Sequence, residues 1–308
     1  MEKIYIVGHK KPDTDSICTP IAYAEYLKQK GKNAVACRTG EINPETKFVL
    51  EYFKIKAPEL LSDAKGKNII LLDHNAETQS PDNIKEAEII EVIDHHKVEF
   101  EYDKPILFHT EPIGATSSII AKKYLGDEKA KLTKEIAGIL LSSILSDTVV
   151  FRSPTATDED REIAEKLAEI AGIKDLEEFG IKIKKQKASL KGLSAKDIIF
   201  SDFKEYKIGE KLVATVQLEL CGLEEVEERK QELFKEMEKA AKDRNYDIFI
   251  LLATDIIKMS SELIFWEKEN YIEKVFGKKP ENNSIYLEGV ISRKKQIIPP
   301  LTKFFLKK

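Results

Sequence analysis

Cysteine is scarce in this 308-residue chain, with Cys18, Cys37 and Cys221 the only three. They are odd in number and lack the spacing of a thiolate metal site, so they read as small core residues of a reducing compartment. Long apolar runs are missing as well. No stretch approaches the ~20 residues that a bilayer-spanning helix requires. The opening Met1-Glu2-Lys3-Ile4 lacks the charged-then-apolar layout of a signal peptide, and a cytoplasmic location is expected. Nor is there a basic excess: 50 Lys and Arg stand against 54 Asp and Glu, for a net charge of −4. That balance argues against a general nucleic-acid or membrane-binding surface. Internal repeats and low-complexity tracts are absent, and histidine does not occur after His109.

The length suffices for two cores, since domains usually run to roughly 100–200 residues. In the first part, short apolar runs alternate with amphipathic stretches. Ile4–Val7, Ala34–Cys37, Ile69–Leu72, Ile89–Ile93 and Ile106–Phe108 read as buried strands. Between them, Ile17–Lys30, Pro44–Phe53 and Pro81–Ala87 suit helices or helical turns. The alternation predicts an α/β domain with a mostly parallel sheet flanked by helices. Gly114–Leu125, Thr133–Leu145, Asp158–Ala171 and about Leu176–Lys187 continue as helices. The texture then changes. We expect a first domain over residues 1–188, a hinge linker over 189–194, and a smaller α+β domain with a mixed sheet over 195–308. In the latter, Lys196–Ile208 and Leu212–Leu220 resemble adjacent strands around a turn at Gly209. Glu224–Asn245 reads as a long charged helix, and Asp247–Ile257 and Glu262–Trp266 as further strands, with Trp266 in the core.

All five histidines lie before residue 110, and four fall beside aspartates at the carboxyl ends of predicted strands. Ligands of open α/β sheets bind in the crevice at those ends. His9, Asp13, Asp15, Asp73, His74, Asp94, His95 and His96 should therefore share one sheet edge. Asp13 or Asp15 could simply cap the following helix. A histidine with two carboxylates within seven residues points further, to a metal. Asp73 and Asp94 each emerge from an apolar strand, where an aspartate can also just start a turn. Of the adjacent His95 and His96, one can ligate while the other faces substrate; an exposed pair is the plain alternative. Asp147 ends an apolar helix, where the dipole disfavours a carboxylate unless a cation is near. Imidazole with several carboxylates and no thiolate favours Mn²⁺, Co²⁺ or Mg²⁺. Six candidate ligands exceed the needs of one ion, whereas two metals about 3.5–4 Å apart would use them. Further on, Arg293 could grip phosphate oxygens bidentately and Lys294 could act as a point charge, unless Ser292–Gln296 is only a solvated basic tail.

Gly8-His9-x-x-Pro12-Asp13-x-Asp15-Ser16, Asp73-His74-Asn75, Asp94-His95-His96 and Ser146-Asp147-Thr148 resemble the four successive motifs of the DHH phosphoesterase superfamily. Within it the chain looks like a family II, manganese-dependent inorganic pyrophosphatase. The closing Ser292-Arg293-Lys294-Lys295-Gln296-Ile297-x-Pro299-Pro300 matches the signature of that family. The resemblance implies one metal on His9, Asp13 and Asp73, and another on Asp15, Asp73, His95 and Asp147. His96, Lys204, Arg293 and Lys294 would be catalytic and would bind the substrate phosphates. Two Mn²⁺ (or Co²⁺) per subunit are implied, with additional Mg²⁺ arriving with pyrophosphate, and a homodimer formed through the N-terminal domain. Family members usually carry Asn at the position of Lys11.

The resemblance also implies a mechanism without a covalent enzyme intermediate, in which a hydroxide shared by the metals attacks pyrophosphate in a crevice between the domains. The rival readings are an exopolyphosphatase of the same superfamily and an oligonucleotide phosphodiesterase. Relatives of the latter kind usually carry a Gly-Gly-Gly-His motif in the second domain. This chain has no double glycine there and no histidine at all.

Overall fold

In the computed structural model, which describes residues 2–187 and 190–306, the chain divides into two units, Met1–Lys187 and Ala188–Lys308. Residue 189, where the expected linker begins, lies outside the described residues.

The first unit contains strands β1 (Ile4–Val7), β2 (Ala34–Arg38), β3 (Glu59–Leu60), β4 (Asn68–Leu72), β5 (Glu88–Asp94) and β6 (Leu107–Thr110). They pair in the order β3-β2-β1-β4-β5-β6, all parallel. Its helices are α1 (Thr14–Gln29), α2 (Pro44–Tyr52), α3 (Thr116–Leu125), α4 (Lys134–Asp147), α5 (Asp158–Ala171) and α6 (Leu176–Lys187). Alternate strand residues point to opposite faces. Ile6, Ile70, Leu72 and Ile93 join the helices in the larger core, and Val7, Ile69, Leu71 and Val92 fill a second one. That second face is covered by the turn around Ile84 and by Phe100 and Tyr102. Burial on both faces explains why the strands read as continuous apolar runs. Each such Ile or Leu contributes about 1.5–3 kcal/mol by leaving water.

Local signals set the helix starts. Asp13, Asn43, Thr133 and Thr157 cap α1, α2, α4 and α5, each accepting a backbone N–H three residues on. Gly8 is required by contact: a Cβ there would lie 2.1 Å from the Ser16 carbonyl oxygen. The end of β1 thereby packs directly on the first turn of α1.

The second unit holds α7 (Ala195–Ile199), β7 (Phe203–Ile208), β8 (Lys211–Leu220), α8 (Glu224–Arg244), β9 (Ile248–Asp255), β10 (Ser260–Glu267), α9 (Tyr271–Phe276), β11 (Ser284–Glu288) and α10 (Ile298–Phe305). Its five strands run β11-β10-β9-β8-β7, antiparallel except for β8 and β9, which α8 connects. The expected strand over Lys196–Ile208 is half wrong. Its first part is α7, because the Ser194 hydroxyl and the Asp197 carboxylate form a reciprocal capping box and Ile198 and Ile199 bury one side of the turn. Trp266 is only partly buried against the core of this unit. The short strand β3, β11, α9 and the helical tail were not anticipated. Cys18, Cys37 and Cys221 are buried and not disulfide-bonded. Among the described residues, no helix is long and apolar enough to cross a membrane.

Candidate metal centre

The strand order reverses between β1 and β4, and a parallel sheet opens a crevice beyond its carboxyl edge at such a point. His9 follows β1, Asp73 follows β4, and His95 follows β5. Asp13 and Asp15 open α1 beneath this edge, and Asp147 is the last residue of α4. Six side chains from four separate segments thus converge.

Their donor atoms form overlapping groups. Asp15, Asp73, His95 and Asp147 offer atoms all within 4.8 Å of one another, and so do His9, Asp13 and Asp73. Asp73 belongs to both, and to a third such group with His95 and the half-exposed His96. Its Oδ2 lies 3.6 Å from His9 Nε2 and its Oδ1 3.5 Å from His95 Nε2, so one carboxylate reaches two imidazoles. Asp73 is fully buried and has a φ of 63°, a left-handed conformation that aspartate tolerates better than most residues. The Ser16 hydroxyl donates to Oδ2 and the Thr116 hydroxyl to Oδ1. Asp15 accepts from the backbone N–H groups of Thr116 and Ser117 and from the Thr19 hydroxyl. Ser16, Thr116 and Thr19 were not singled out in the sequence. Ser16 lies inside a motif, but nothing around Thr116 marks it.

Histidine orientation is equally constrained. His9 Nδ1 lies 2.8 Å from the Lys10 carbonyl oxygen and His95 Nδ1 2.9 Å from that of Ile113. Each Nδ1–H donates outward, which leaves Nε2 facing the carboxylates. His95 Nε2 is buried and makes no hydrogen bond.

The charges are under tension. Burial disfavours a charged His9, yet Asp13 and Asp73 outweigh it and hold the imidazole at about 9. His95 is likewise penalised by burial but raised to about 9 by Asp73 and Asp15. Burial and the neighbouring Asp73 push the Asp15 carboxyl up to about 7. Burial, then Asp13, Asp15 and Asp73, push Asp147 well above the usual carboxylate range. A set of crowded carboxylates around an imidazole nitrogen without a hydrogen bond fits divalent ions, which supply positive charge and take the place of the Nε2 proton.

Two expected edge residues stand apart. His74 is buried with Nδ1 2.9 Å from the Leu72 carbonyl oxygen and Nε2 3.1 Å from the Ser80 hydroxyl; burial keeps it neutral, at about 4. Asp94 receives the Asn75 amide at 2.6 Å and lies 2.8 Å from His96 Nδ1. His96 is 53% exposed, and the Asp94 hydrogen bond raises its pKa. Asp13, His95, His96, Asp147 and Lys184 line one cleft of about 820 Å³.

In the second unit, Lys204 is exposed on β7 and Lys294 exposed in the turn Arg293–Ile297. Arg293 is buried, with Nη1 2.6 Å from the Asp202 carbonyl oxygen and Nη2 2.9 Å from its carboxylate.

Residues 3–144 match the DHH family N-terminal domain and residues 181–304 the DHHA2 domain. A manganese-dependent inorganic pyrophosphatase of Methanocaldococcus jannaschii is 45% identical, covering 98% of this chain and 99% of that protein. One from Methanothrix thermoacetophila is 47% identical over 99% of both. The chain belongs to the manganese-dependent inorganic pyrophosphatase family. A Methanococcus jannaschii crystal structure assigned to family II inorganic pyrophosphatases matches with a TM-score of 0.64 at 45% identity, covering 99% of this chain and 100% of that one. An exopolyphosphatase-related protein of Bacteroides fragilis, 18% identical with a TM-score of 0.53 over 98% of this chain and 92% of that one, shares the fold.

Proposed function

We propose that this pyrophosphatase-family chain hydrolyses inorganic pyrophosphate to two phosphates with two divalent ions. The observation that carries the reading is that Asp73 joins the group of His9 and Asp13 to that of Asp15, His95 and Asp147, beside an orphaned His95 nitrogen. His9, Asp13 and Asp73 would hold one ion; Asp15, Asp73, His95 and Asp147 the other. Mn²⁺ or Co²⁺ suits the mixed imidazole and carboxylate set, and Mg²⁺ would enter with the substrate. When bound, the ions supply Lewis-acid stabilisation of phosphoryl charge and acidify a water for attack.

The protein's own groups do the rest. Ser16 and Thr116 fix the Asp73 carboxylate so that neither oxygen turns away. The outward Nδ1 hydrogen bonds hold the lone pairs of His9 and His95 inward. Asp94 anchors His96 and favours its imidazolium, whose Nε2–H is then available to protonate the departing phosphate. Arg293 has two N–H groups engaged by Asp202 and retains the remainder for phosphate oxygens. Lys204 and Lys294 add point charges, so that fixed cations stabilise the transition state.

The net charge of −4 argues against a nucleic-acid partner. Buried, unbridged thiols support the cytoplasm. Family resemblance, and the exposed Leu107 on edge strand β6, support a homodimer through the first unit. Phosphate release from pyrophosphate, tripolyphosphate and a dinucleotide, with Mn²⁺, Co²⁺ or Mg²⁺ added to chelator-stripped protein, tests the activity. Pyrophosphate should be cleaved fastest; faster cleavage of tripolyphosphate or the dinucleotide would refute the assignment.

A further inference from the structure

Beneath the ligand cluster lies a second charged pair that neither ligand group uses. Glu45, in the first turn of α2, is 2% exposed. Its Oε1 accepts from the Thr14 hydroxyl at 2.9 Å and from the Ser146 hydroxyl. Its Oε2 makes no hydrogen bond, and the Lys184 ammonium lies 3.3 Å from it. Lys184 Nζ also donates to the Ser146 carbonyl and hydroxyl oxygens, at 3.3 and 3.4 Å.

The sequence positions of these partners carry the argument. Thr14 stands between Asp13 and Asp15, and Ser146 directly precedes Asp147. Glu45 and Lys184 therefore tie together the two backbone segments that deliver three of the six candidate ligands. What places Lys184 is close packing of α6 on the end of α4: a Cβ on Gly180 would lie 2.7 Å from Val150 Cγ2, and Ile183 is fully buried. Desolvating two charges opposes folding, and an apolar pair of equal volume would pack at least as well. Such a pair is therefore weak as a source of stability, and its contacts act on the position of the segments they join. Lys184 also stands at the negative end of the α4 dipole, where a cation is favoured.

We propose that the Glu45–Lys184 pair is a positioning device that sets the affinity of the metal centre through Asp13, Asp15 and Asp147; this rests on the metal-site reading above. Lys184 lines the same cleft as Asp147, so direct contact with substrate is the competing role. Against it, two of the three ammonium N–H groups already go to the Ser146 carbonyl and hydroxyl oxygens, and the charge is paired with the Glu45 carboxylate 3.3 Å away.

The test uses full-length, chelator-stripped protein and follows Mn²⁺ binding by the electron-spin signal of the free ion, alongside kcat and KM for pyrophosphate. Lys184→Met and Glu45→Gln should each weaken Mn²⁺ binding by roughly 10–100-fold, the usual effect of losing a partner behind a ligand. Lys184→Arg should recover most of the affinity. The double variant should lose less than the product of the two single losses, because the second change removes a partner already orphaned. KM should stay near wild type, and excess Mn²⁺ should restore most of kcat. Ser146→Ala, a milder change, should weaken Mn²⁺ in the same direction even if the charge variants fold poorly. Unchanged or tighter Mn²⁺ binding in Lys184→Met and Ser146→Ala would overturn the proposal, as would a raised KM with normal metal affinity. Wild-type protein that binds no Mn²⁺ would instead refute the metal-site reading beneath it.

Discussion

Replacing Asp73 by alanine removes an oxygen from both ligand groups at once, because its two carboxylate oxygens face His9 and His95 separately. The size of the effect follows from linkage. An ion that binds only the folded state stabilises it by RT ln(1 + [L]/Kd), about 4 kcal/mol at a thousandfold excess over Kd. For a unit of this size each kcal/mol moves Tm by roughly 2–4 °C, so saturating Mn²⁺ should raise Tm by about 8–16 °C over chelated protein for each ion bound. Asp73→Ala should lose nearly all of that shift and nearly all activity. His74→Ala, whose imidazole is turned toward the Leu72 carbonyl and the Ser80 hydroxyl, should keep most of the Mn²⁺-dependent shift. Scanning calorimetry with Mn²⁺ and with chelator measures both numbers on each protein. A full Mn²⁺ shift in Asp73→Ala, or an equal loss in folded His74→Ala, would refute the shared-carboxylate assignment.

His96→Gln should bind Mn²⁺ as tightly as wild type and turn over ~10²–10⁴-fold more slowly, as expected for loss of a proton donor; loss of the metal would make His96 a ligand. Chelation should abolish pyrophosphate hydrolysis, and Mn²⁺ or Co²⁺ should restore it better than Zn²⁺; activity surviving in demonstrably metal-free protein would end the two-metal reading. Lys11 is exposed with a φ of 56°, a conformation asparagine tolerates far better than lysine. Lys11→Asn should therefore raise stability by about 0.5–1 kcal/mol in urea unfolding without changing Mn²⁺ affinity.

The first unit was legible in the sequence because its strands are buried on both faces. Residues such as Ile69–Leu72 carry no polar interruption, so their runs stood out, and each ended in a chemically distinctive residue. The convergence of His9, Asp73 and His95 then followed from parallel strands alone, since all three sit at the same end of one sheet. Other features were hidden for physical reasons. Two-residue β3 is too short to show a period, and α7 depends on one capping box that a strand-like Ile198-Ile199-Phe200 run obscures. Glu45 carries no signal of its own, since acids are common in the first turn of a helix, and only tertiary packing shows that it is buried against Ser146. For Arg293 the residues left phosphate binding and a solvated basic tail both open, and only its burial beside Asp202 removes the tail. Long-range partners leave no local period, so pattern reading cannot find them.

Backbone strain and charge crowding fall on the same few turns. Among the described residues, eleven other than glycine have positive φ, and four of these are asparagines, which tolerate it. Of the other seven, Lys11, Asp73, Val149, Val150 and Phe151 lie in or directly beside the candidate ligand turns. A left-handed β-branched residue costs about 1–2 kcal/mol, and Val149 and Val150 are consecutive. Their turn closes through donation from the Arg152 and Ser153 N–H groups to the Thr148 carbonyl, directly after Asp147. The crowded carboxylates add repulsion at the same places. The helix-covered core holds these segments in register against that cost. Divalent ions held by the proposed ligand groups would offset that repulsion, so the crowding that opposes folding is the feature that would favour a cation there.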